Sequence, residues 1–230
     1  MQLSKRLKAL TEFVTEGLRV ADIGCDHAYV SIYLMEKKIA SKVIAMDINK
    51  GPLLKAKENI AKHGLTETIE TRLSNGAKEL KAGEVDAVLI AGMGGALMAR
   101  ILSERSEVLD LLEEWILQPQ SELYLVRRHI REHGFHIVEE NMLIDEGKYY
   151  TLMKAKKGKE SFVSEVFDYY GKYLLENKNE TLKLFLEQEL EKKEAIFAKL
   201  QAEGQKHTVR LEEIKEEITR IKGGLVYYAM

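Results

Sequence analysis

Apolar segments of strand length alternate with segments of helical periodicity along the first part of the chain. The strand-like segments are 18–24, 42–48, 69–76, 85–92 and 114–119. Each is short and apolar, which is typical of strands covered on both faces. The repeated order of strand, helix and strand predicts an α/β fold with a parallel, doubly wound sheet.

Cap and turn residues mark the helices between these strands. Segment 51–64 has Pro52 in its first turn and Gly64 at its end, and segment 121–134 begins with Ser121 as a predicted N-cap. Serine, proline and glycine commonly start and stop helices at these positions.

Two later strand-like segments predict a hairpin. Segments 135–145 and 148–156 are separated by Glu146 and Gly147, a pair suited to a tight turn. We expect the two strands to close the sheet as an antiparallel pair.

The pattern changes after Lys159, where charged residues become dense and apolar residues recur every three or four positions. It predicts a short helix around 163–175 and two antiparallel helices on either side of Gly204. We therefore predict two domains, 1–159 and 160–230, the second all-helical, coiled-coil-like and able to dock a partner. A hairpin that only stabilises or pairs remains the alternative. The apolar positions of the long helices are Leu182, Leu186, Leu190, Phe197, Leu200, Leu211, Ile214, Ile218, Ile221 and Leu225.

Composition narrows the possible classes of protein. With 230 residues, 45% of them hydrophobic, the chain can bury a substantial core. A single cysteine excludes an internal disulfide, and no apolar segment reaches the ~20 residues needed to cross a bilayer, so we expect a cytoplasmic protein. The net charge of −2 argues against a strongly basic nucleic-acid binder, so a local patch would have to hold any polyanion.

Polar and glycine residues follow each predicted parallel strand. Asp22 and Gly24 precede CDHAY, Asp47 ends the second strand, and Asn75 and Gly76 end the third. GMGG follows the fourth strand and QPQ closes the fifth. Because the carboxyl ends of parallel strands meet at one edge, where open α/β sheets bind ligands, we expect the site there.

The first of these turns does not fit a dinucleotide. The fingerprint G-x-G-x-x-G needs three glycines, but Asp26 and Tyr29 stand at the second and third positions after Gly24. An aspartate would repel a pyrophosphate, so the turn favours a cationic, phosphate-free ligand such as S-adenosylmethionine, with Asp47 on its ribose hydroxyls. The alternatives are that Asp47 caps a helix and that Asn75 is an ordinary turn residue.

The segments ADIGCDHAY, NKGPLLKAKENI, IAGMGGALMARIL and ILQP, together with the opening LSKRL, resemble the bacterial tRNA adenine-N1 methyltransferase family TrmK over the whole chain. The resemblance implies a Rossmann-like S-adenosylmethionine-dependent domain and a helical C-terminal domain. It implies methylation of tRNA on N1 of the adenine at position 22. We expect a monomer that uses no metal.

The residues at this edge and the basic clusters give three groups of candidates. The cofactor-binding group is Asp22, Gly24, Cys25, Asp47, Ile48, Asn75, Gly76 and Ala91. The catalytic group is Asp26, His27, Tyr29, Gly92, Met93 and Gln118. The RNA-binding group is Lys5, Arg6, Arg127, Arg128 and Lys157, for which solvated helix faces are the alternative.

The implied reaction explains an acid in the turn. N1 of adenine carries an in-plane lone pair, so its methylation needs no general base, and positive charge develops on the ring. Asp26 would accept from the adenine amino group or stabilise that charge. His27 would hold Asp26 or a phosphate, and Tyr29 would stack on the base. A helix cap, a surface residue and a packing residue are the respective alternatives.

The loops after the fourth and fifth strands would accommodate the base. The glycines around Gly92 leave room for it to approach, while Gln118 and Gln120 would read its edge and Met93 would pack. The chain departs from the family pattern with Asp47 in place of the usual glutamate, QPQ for QPN, and YGK at 170–172 for Phe-Gly-Pro. A methyltransferase acting on another RNA or a small molecule, and an interaction protein with a vestigial cofactor site, remain alternatives.

Overall fold

The computed structural model describes residues 3–160, 164–202 and 208–229. The chain divides into two compact units, residues 1–161 and residues 162–230. Within the described ranges, no helix is both long enough and apolar enough to span a membrane.

The first unit is built on a seven-stranded sheet with the order β3-β2-β1-β4-β5-β7-β6. The first five strands pair in parallel, and β7 lies between β5 and β6, antiparallel to both. The predicted doubly wound α/β fold is confirmed. The strands are β1 (Arg19–Ile23), β2 (Lys42–Asp47), β3 (Ile69–Leu73), β4 (Ala87–Met93), β5 (Glu114–Pro119), β6 (Phe135–Asp145) and β7 (Lys148–Lys157).

The predicted hairpin is formed by β6 and β7. Glu146 and Gly147 connect the strands with φ angles of 48° and 74°. Positive φ at both central residues is the requirement of a type I′ turn, which matches the twist of the flanking strands. Because β6 runs parallel to β5, this turn lies at the edge where the parallel strands end.

Helices cover both faces of the sheet. Along β4, Leu89 belongs to one buried core and Ile90 to the other, so neighbouring residues face opposite sides. Because both faces of such a strand are buried, its residues are apolar at successive positions and do not alternate with polar ones. The helices are α1 (Lys5–Glu12), α2 (Tyr29–Glu36), α3 (Lys50–Lys62), α4 (Gly95–Glu104), α5 (Ser106–Leu109) and α6 (Leu123–Glu132).

Both predicted ends are correct for α3, whereas for α6 the predicted end at Gly134 is correct and the predicted start is displaced by one residue. Helix α3 contains Pro52 in its first turn, and Gly64, with φ of 67°, follows its C-cap. The predicted N-cap Ser121 is wrong, because Glu122 occupies the cap position of α6. The carbonyl of Ser121 instead accepts a hydrogen bond from the N–H of Gly95 at 3.0 Å.

The second unit is helical. The predicted short helix is two helices separated by Gly171, whose φ is 83°. Tyr228 donates to the carbonyl of Asn179, and Lys193 pairs with Glu217, so the two long helices run antiparallel. The helices are α7 (Glu165–Tyr170), α8 (Lys172–Glu176), α9 (Glu180–Ala202) and α10 (Thr208–Ala229).

The predicted seam between the long helices is buried in part. The buried members are Leu182, Leu186, Ile214 and Ile221. Residue 163 and Gly204, which entered the predicted boundaries, lie outside the described residues.

Candidate active site

One cavity of about 600 Å³ lies at the carboxyl ends of the parallel strands. Every predicted cofactor-binding residue lines it, and four of the six predicted catalytic residues do so. The lining residues that were predicted are Asp22, Gly24, Cys25, Asp26, Tyr29, Asp47, Ile48, Asn75, Gly76, Ala91, Gly92 and Met93.

The turn after β1 has an unusual backbone that brings it over the cavity. Gly24, Asp26 and Ala28 have φ angles of 77°, 51° and 61°. The N–H groups of Gly24 and Cys25 both donate to the carbonyl of Met46, at 2.8 and 2.9 Å. The φ of Gly24 is one that side chains other than glycine rarely adopt, and a Cβ atom there would also force the terminal methyl group of Met93 to move.

Carboxylates dominate the β1–β2 side of the cavity. Asp22 is buried and accepts a hydrogen bond from Ser31 Oγ at 2.6 Å. Burial, with a smaller contribution from the nearby charge of Asp47, raises the pKa of Asp22 to about 6. The carboxylate of Asp47 accepts backbone N–H groups from Asp26 and Asn49, at 3.2 and 2.8 Å. This side of the cavity therefore suits a cation.

Cys25 lines the same cavity but is not a nucleophile. Burial raises the pKa of its thiol, and the carboxylates of Asp22, Asp47 and Asp26 raise it further. The thiol therefore stays protonated at neutral pH.

The three side chains of the DHAY turn have different environments. Asp26 is exposed, and its Oδ1 lies 3.6 Å from His27 Nε2. The rings of His27 and Tyr29 meet edge to face with centroids 5.7 Å apart. Tyr29 lines the cavity with 42% of its surface exposed, as a stacking platform requires, whereas His27 does not line it.

The glycine loop after β4 begins with a bulge. The pairing of β4 with β5 shifts register between Ala91 and Met93, and the intervening Gly92 has a φ of 78°. A bulge releases the backbone of the extra residue from the ladder and turns the strand at that point. The freed backbone of Gly92 borders the cavity beside the side chain of Gln120.

The loops after β4 and β5 form one unit. The N–H of Gln120 donates to the carbonyl of Met93 at 2.8 Å, and Glu122 Oε2 accepts the N–H of Ala96 at 3.2 Å. A Cβ at Gly95 would lie 2.5 Å from the carbonyl oxygen of Ser121. This close approach explains why glycine occupies position 95.

Two predicted roles are corrected by the structure. Gln118 does not border the cavity, because its side chain is fully buried and accepts a hydrogen bond from Arg6 Nη1. Arg127 is 3% exposed and donates to Glu140 at 2.7 Å, so it is part of a buried ion pair and does not offer an RNA contact.

The other predicted RNA-binding residues are placed differently. Lys5 and Lys157 donate to the carbonyls of Ile144 and Leu111, at 3.2 and 3.0 Å. Exposed Arg128 lies 5.7 Å from the centroid of Tyr124. Arg6 lines the catalytic cavity. The sequence alone predicts a surface patch here, because no pattern indicates where α1 packs.

The donor set fits the cofactor that the motifs imply. Asp47 and the exposed Ile48 beside it both line the cavity, and carboxylates are compatible with a sulfonium cation. Among the described residues, no three His, Cys, Asp or Glu side chains are grouped as a metal site.

Comparison with known proteins gives the family. The profile of a family described as "Methyltransferase domain" matches residues 3–153. The tRNA (adenine(22)-N(1))-methyltransferase of Bacillus subtilis is 32% identical over 229 residues, which cover 96% of each chain. The chain belongs to this methyltransferase family. The resemblance drawn from the motifs is thereby confirmed.

Solved structures of the family extend this likeness to the whole chain. The B. subtilis m1A22 tRNA methyltransferase TrmK superposes with a TM-score of 0.88 at 32% identity, covering 97% of this chain and 99% of that one. TrmK of Mycoplasma capricolum, in complex with S-adenosyl-homocysteine, gives a TM-score of 0.87 at 28% identity and covers 99% of both chains.

Proposed function

We propose that this protein transfers a methyl group from S-adenosylmethionine to N1 of the adenine at position 22 of tRNA. The observation that carries the proposal is full-length similarity to a tRNA (adenine(22)-N(1))-methyltransferase, 32% identical over 96% of both chains. The cavity supports it, because its predicted cofactor residues all converge at one edge of the sheet.

The cofactor binds along the β1–β2 side of the cavity. Asp47 accepts the ribose hydroxyls, and the glycine turn at Gly24 gives the ligand close access to the backbone. The buried carboxylate of Asp22 favours a ligand that carries positive charge. When bound, S-adenosylmethionine supplies an electrophilic methyl group, whose bond to sulfur breaks as the bond to N1 forms.

The target adenine enters from the β4–β5 side. The bulge at Gly92 and the side chain of Gln120 border this entrance, and Tyr29 stacks on the extruded base. Asp26 accepts from the adenine amino group and stabilises the positive charge that the ring acquires. Since N1 already holds its lone pair in the ring plane, no residue has to remove a proton.

The helical unit, residues 162–230, is assigned to tRNA docking within this proposal. Exposed basic residues of the first unit, such as Lys5 and Arg128, would contribute phosphate contacts. Within the same proposal, the protein acts as a monomer in the cytoplasm.

Transfer of a labelled methyl group distinguishes the substrates. The protein is incubated with labelled S-adenosylmethionine and either unmodified bulk tRNA, a ribosomal protein extract or a pool of small nucleosides. We expect label in the tRNA alone. Label in protein or in free nucleosides, with none in tRNA, would overturn the proposed substrate while leaving the methyltransferase class intact.

A further inference from the structure

The cavity that the acidic turn borders is also lined by a cation, Arg6. We propose that Arg6, positioned by Gln118 and Tyr150, is an oxyanion-binding group of the catalytic cavity. Its ligand is the carboxylate of the cofactor's amino-acid end or the phosphate of the target nucleotide. The inference rests on the proposed function for the identity of these two ligands.

Helix α1 and the residues that follow it are fixed to both edges of the sheet. The N–H of Arg6 donates to Asp145 Oδ2 at 3.0 Å, at the end of β6. Beyond the helix, the N–H and hydroxyl of Thr15 donate to the buried carboxylate of Glu114 at 2.8 and 2.7 Å. Lys154 pairs with the same carboxylate at 3.2 Å. Anchors on both sides of α1 give Arg6 a defined place.

The guanidinium group is also held in orientation. Its Nη1 donates to Gln118 Oε1, and its Cζ lies 5.0 Å from the centroid of the Tyr150 ring. Gln118 is itself oriented, because its Nε2 donates to the carbonyl of Pro119 at 3.2 Å. Because both ends of the buried Gln118 amide are hydrogen-bonded, the amide holds the guanidinium in a defined orientation.

The charge of Arg6 is not neutralised within the described structure. No carboxylate of the described residues lies within ion-pair distance of its guanidinium, and both of its side-chain partners, Gln118 and Tyr150, are uncharged. Arg19, by contrast, pairs with Asp86. Arg100, the other arginine of the cavity lining, is mostly exposed and lies 3.8 Å from Glu104. Arg6 therefore keeps donors and charge for a planar oxyanion.

The guanidinium of Arg6 lies where it could contact an anionic group of a bound substrate. A Cβ atom at Gly92 would lie 3.8 Å from Arg6 Nη1, so the guanidinium borders the β4 bulge. The carboxylates of Asp22 and Asp47 come from β1 and β2. The cavity therefore combines carboxylates from β1 and β2 with a cation beside the β4 bulge, which suits a ligand that carries both charges.

Pairs of ligands that differ by one anion test the inference. The first pair is S-adenosylhomocysteine and 5′-methylthioadenosine, which lacks the amino-acid end. The second pair is adenosine 5′-monophosphate and adenosine. Dissociation constants are measured for the wild type, Arg6→Gln and Gln118→Leu, with Lys42→Gln as charge-matched control, because Lys42 begins β2 at the opposite edge of the sheet.

For Arg6→Gln, we expect at least a tenfold loss of affinity for the anionic member of one pair and none for its partner. A loss in the first pair assigns the carboxylate. A loss in the second, with a raised KM for tRNA, assigns the phosphate. Gln118→Leu should cause a smaller loss of affinity for the same ligand, because the guanidinium of Arg6 keeps its charge but is no longer held in orientation. The KM should change more than kcat.

Equal affinities of the wild type and Arg6→Gln in both pairs would overturn the inference. So would an equal loss for both members of a pair, or the same loss in Lys42→Gln. The proposed function is judged separately, because a wild-type protein that leaves tRNA unmethylated contradicts that proposal while the ligand pairs still report on Arg6.

Discussion

Asp22 is a residue at which stability and ligand binding conflict. Its carboxyl is buried, and Ser31 provides its hydrogen bond. Burial raises its pKa from 3.8 to about 6. Because the pKa is higher in the folded state than in the unfolded state, the protonated carboxyl contributes stability that is complete below pH 3.8 and is lost as the pH rises through about 6. At neutral pH the folded protein therefore carries an unfavourable buried charge.

Asp22→Asn should stabilise the cofactor-free protein at pH 7.5 by about 3 kcal/mol, since it removes that charge and keeps an acceptor for Ser31. The same change should weaken binding of the cationic cofactor. Thermal unfolding with and without S-adenosylmethionine measures both effects. A lower Tm of the variant without ligand would show that the ionised carboxylate stabilises the fold.

Asp26→Asn should reduce methyl transfer about 10²-fold and change cofactor affinity little. The turn should survive, because the backbone of Asp26, not its side chain, bonds Asp47, and asparagine tolerates a φ of 51°. Single-turnover rates with tRNA provide the measurement. A normal rate in Asp26→Asn would show that the Asp26 carboxylate takes no part in methyl transfer.

Tyr29 gives a matched pair of changes. Tyr29→Phe keeps the stacking surface and should be mild, whereas Tyr29→Ala should lose ~1–3 kcal/mol of base stacking and raise the KM for tRNA. Equal losses in the two variants would assign the hydroxyl, not the ring, as the functional group.

At the scale of elements, the loops after β4 and β5 act together. Gly95→Ala should destabilise the protein by about 2 kcal/mol, because its Cβ would lie 2.5 Å from the carbonyl oxygen of Ser121 and 2.6 Å from that of Glu122. Backbone atoms cannot rotate away as a side chain would. Gly51→Ala in α3 is the control, since nothing lies within 4 Å of its Cβ position. Denaturant unfolding gives the free energy of unfolding of both variants. Equal values would contradict the close packing of the loops after β4 and β5.

The stack between β5 and α6 should make stability depend on pH. The ring of His129 lies over Trp115 at 6.2 Å and beside His133 at 4.1 Å, and His133 lies 2.8 Å from Asp110. Burial, with a smaller contribution from the charge of His133, lowers the pKa of His129 from 6.5 to about 4.

The folded state therefore binds this proton less readily than the unfolded state. Stability should fall by about 2 kcal/mol as the pH drops from 6.5 to 4, and His129→Leu should remove that part of the slope. Unfolding free energies at a series of pH values test this. An unchanged slope in His129→Leu would assign the pH dependence to other groups.

The strands of the sheet were predictable because each is a short apolar segment between turn residues. The order of the last two was not, since nothing in the hairpin indicates that β7 pairs with β5. Gln118 shows the consequence for the site. Trp115 and Leu117 share one core and Ile116 the other, so alternation places Gln118 on the face of Ile116, where α1 covers it. The position of α1 depends on tertiary contacts such as Arg6 with Asp145, which have no sequence pattern.

At the scale of the whole molecule, the two units have separate tasks in this account. The first contains the complete sheet, both of its cores and the cavity. Removal of residues 162–230 should leave a folded protein that binds the cofactor and has lost most of its affinity for tRNA. Calorimetry with S-adenosylhomocysteine and a gel-shift titration with tRNA test the two halves of this expectation. Full activity of the shortened protein would make the helical unit structural only.

The central claim is that the methyl group reaches N1 of one adenine in tRNA. The most direct measurement is nucleoside analysis by mass spectrometry after reaction of a tRNA transcript with adenine at position 22 and of the same transcript with guanine there. We predict 1-methyladenosine from the first transcript and no methylated adenosine from the second. N6-methyladenosine in the first, or methylation that persists in the second, would contradict it.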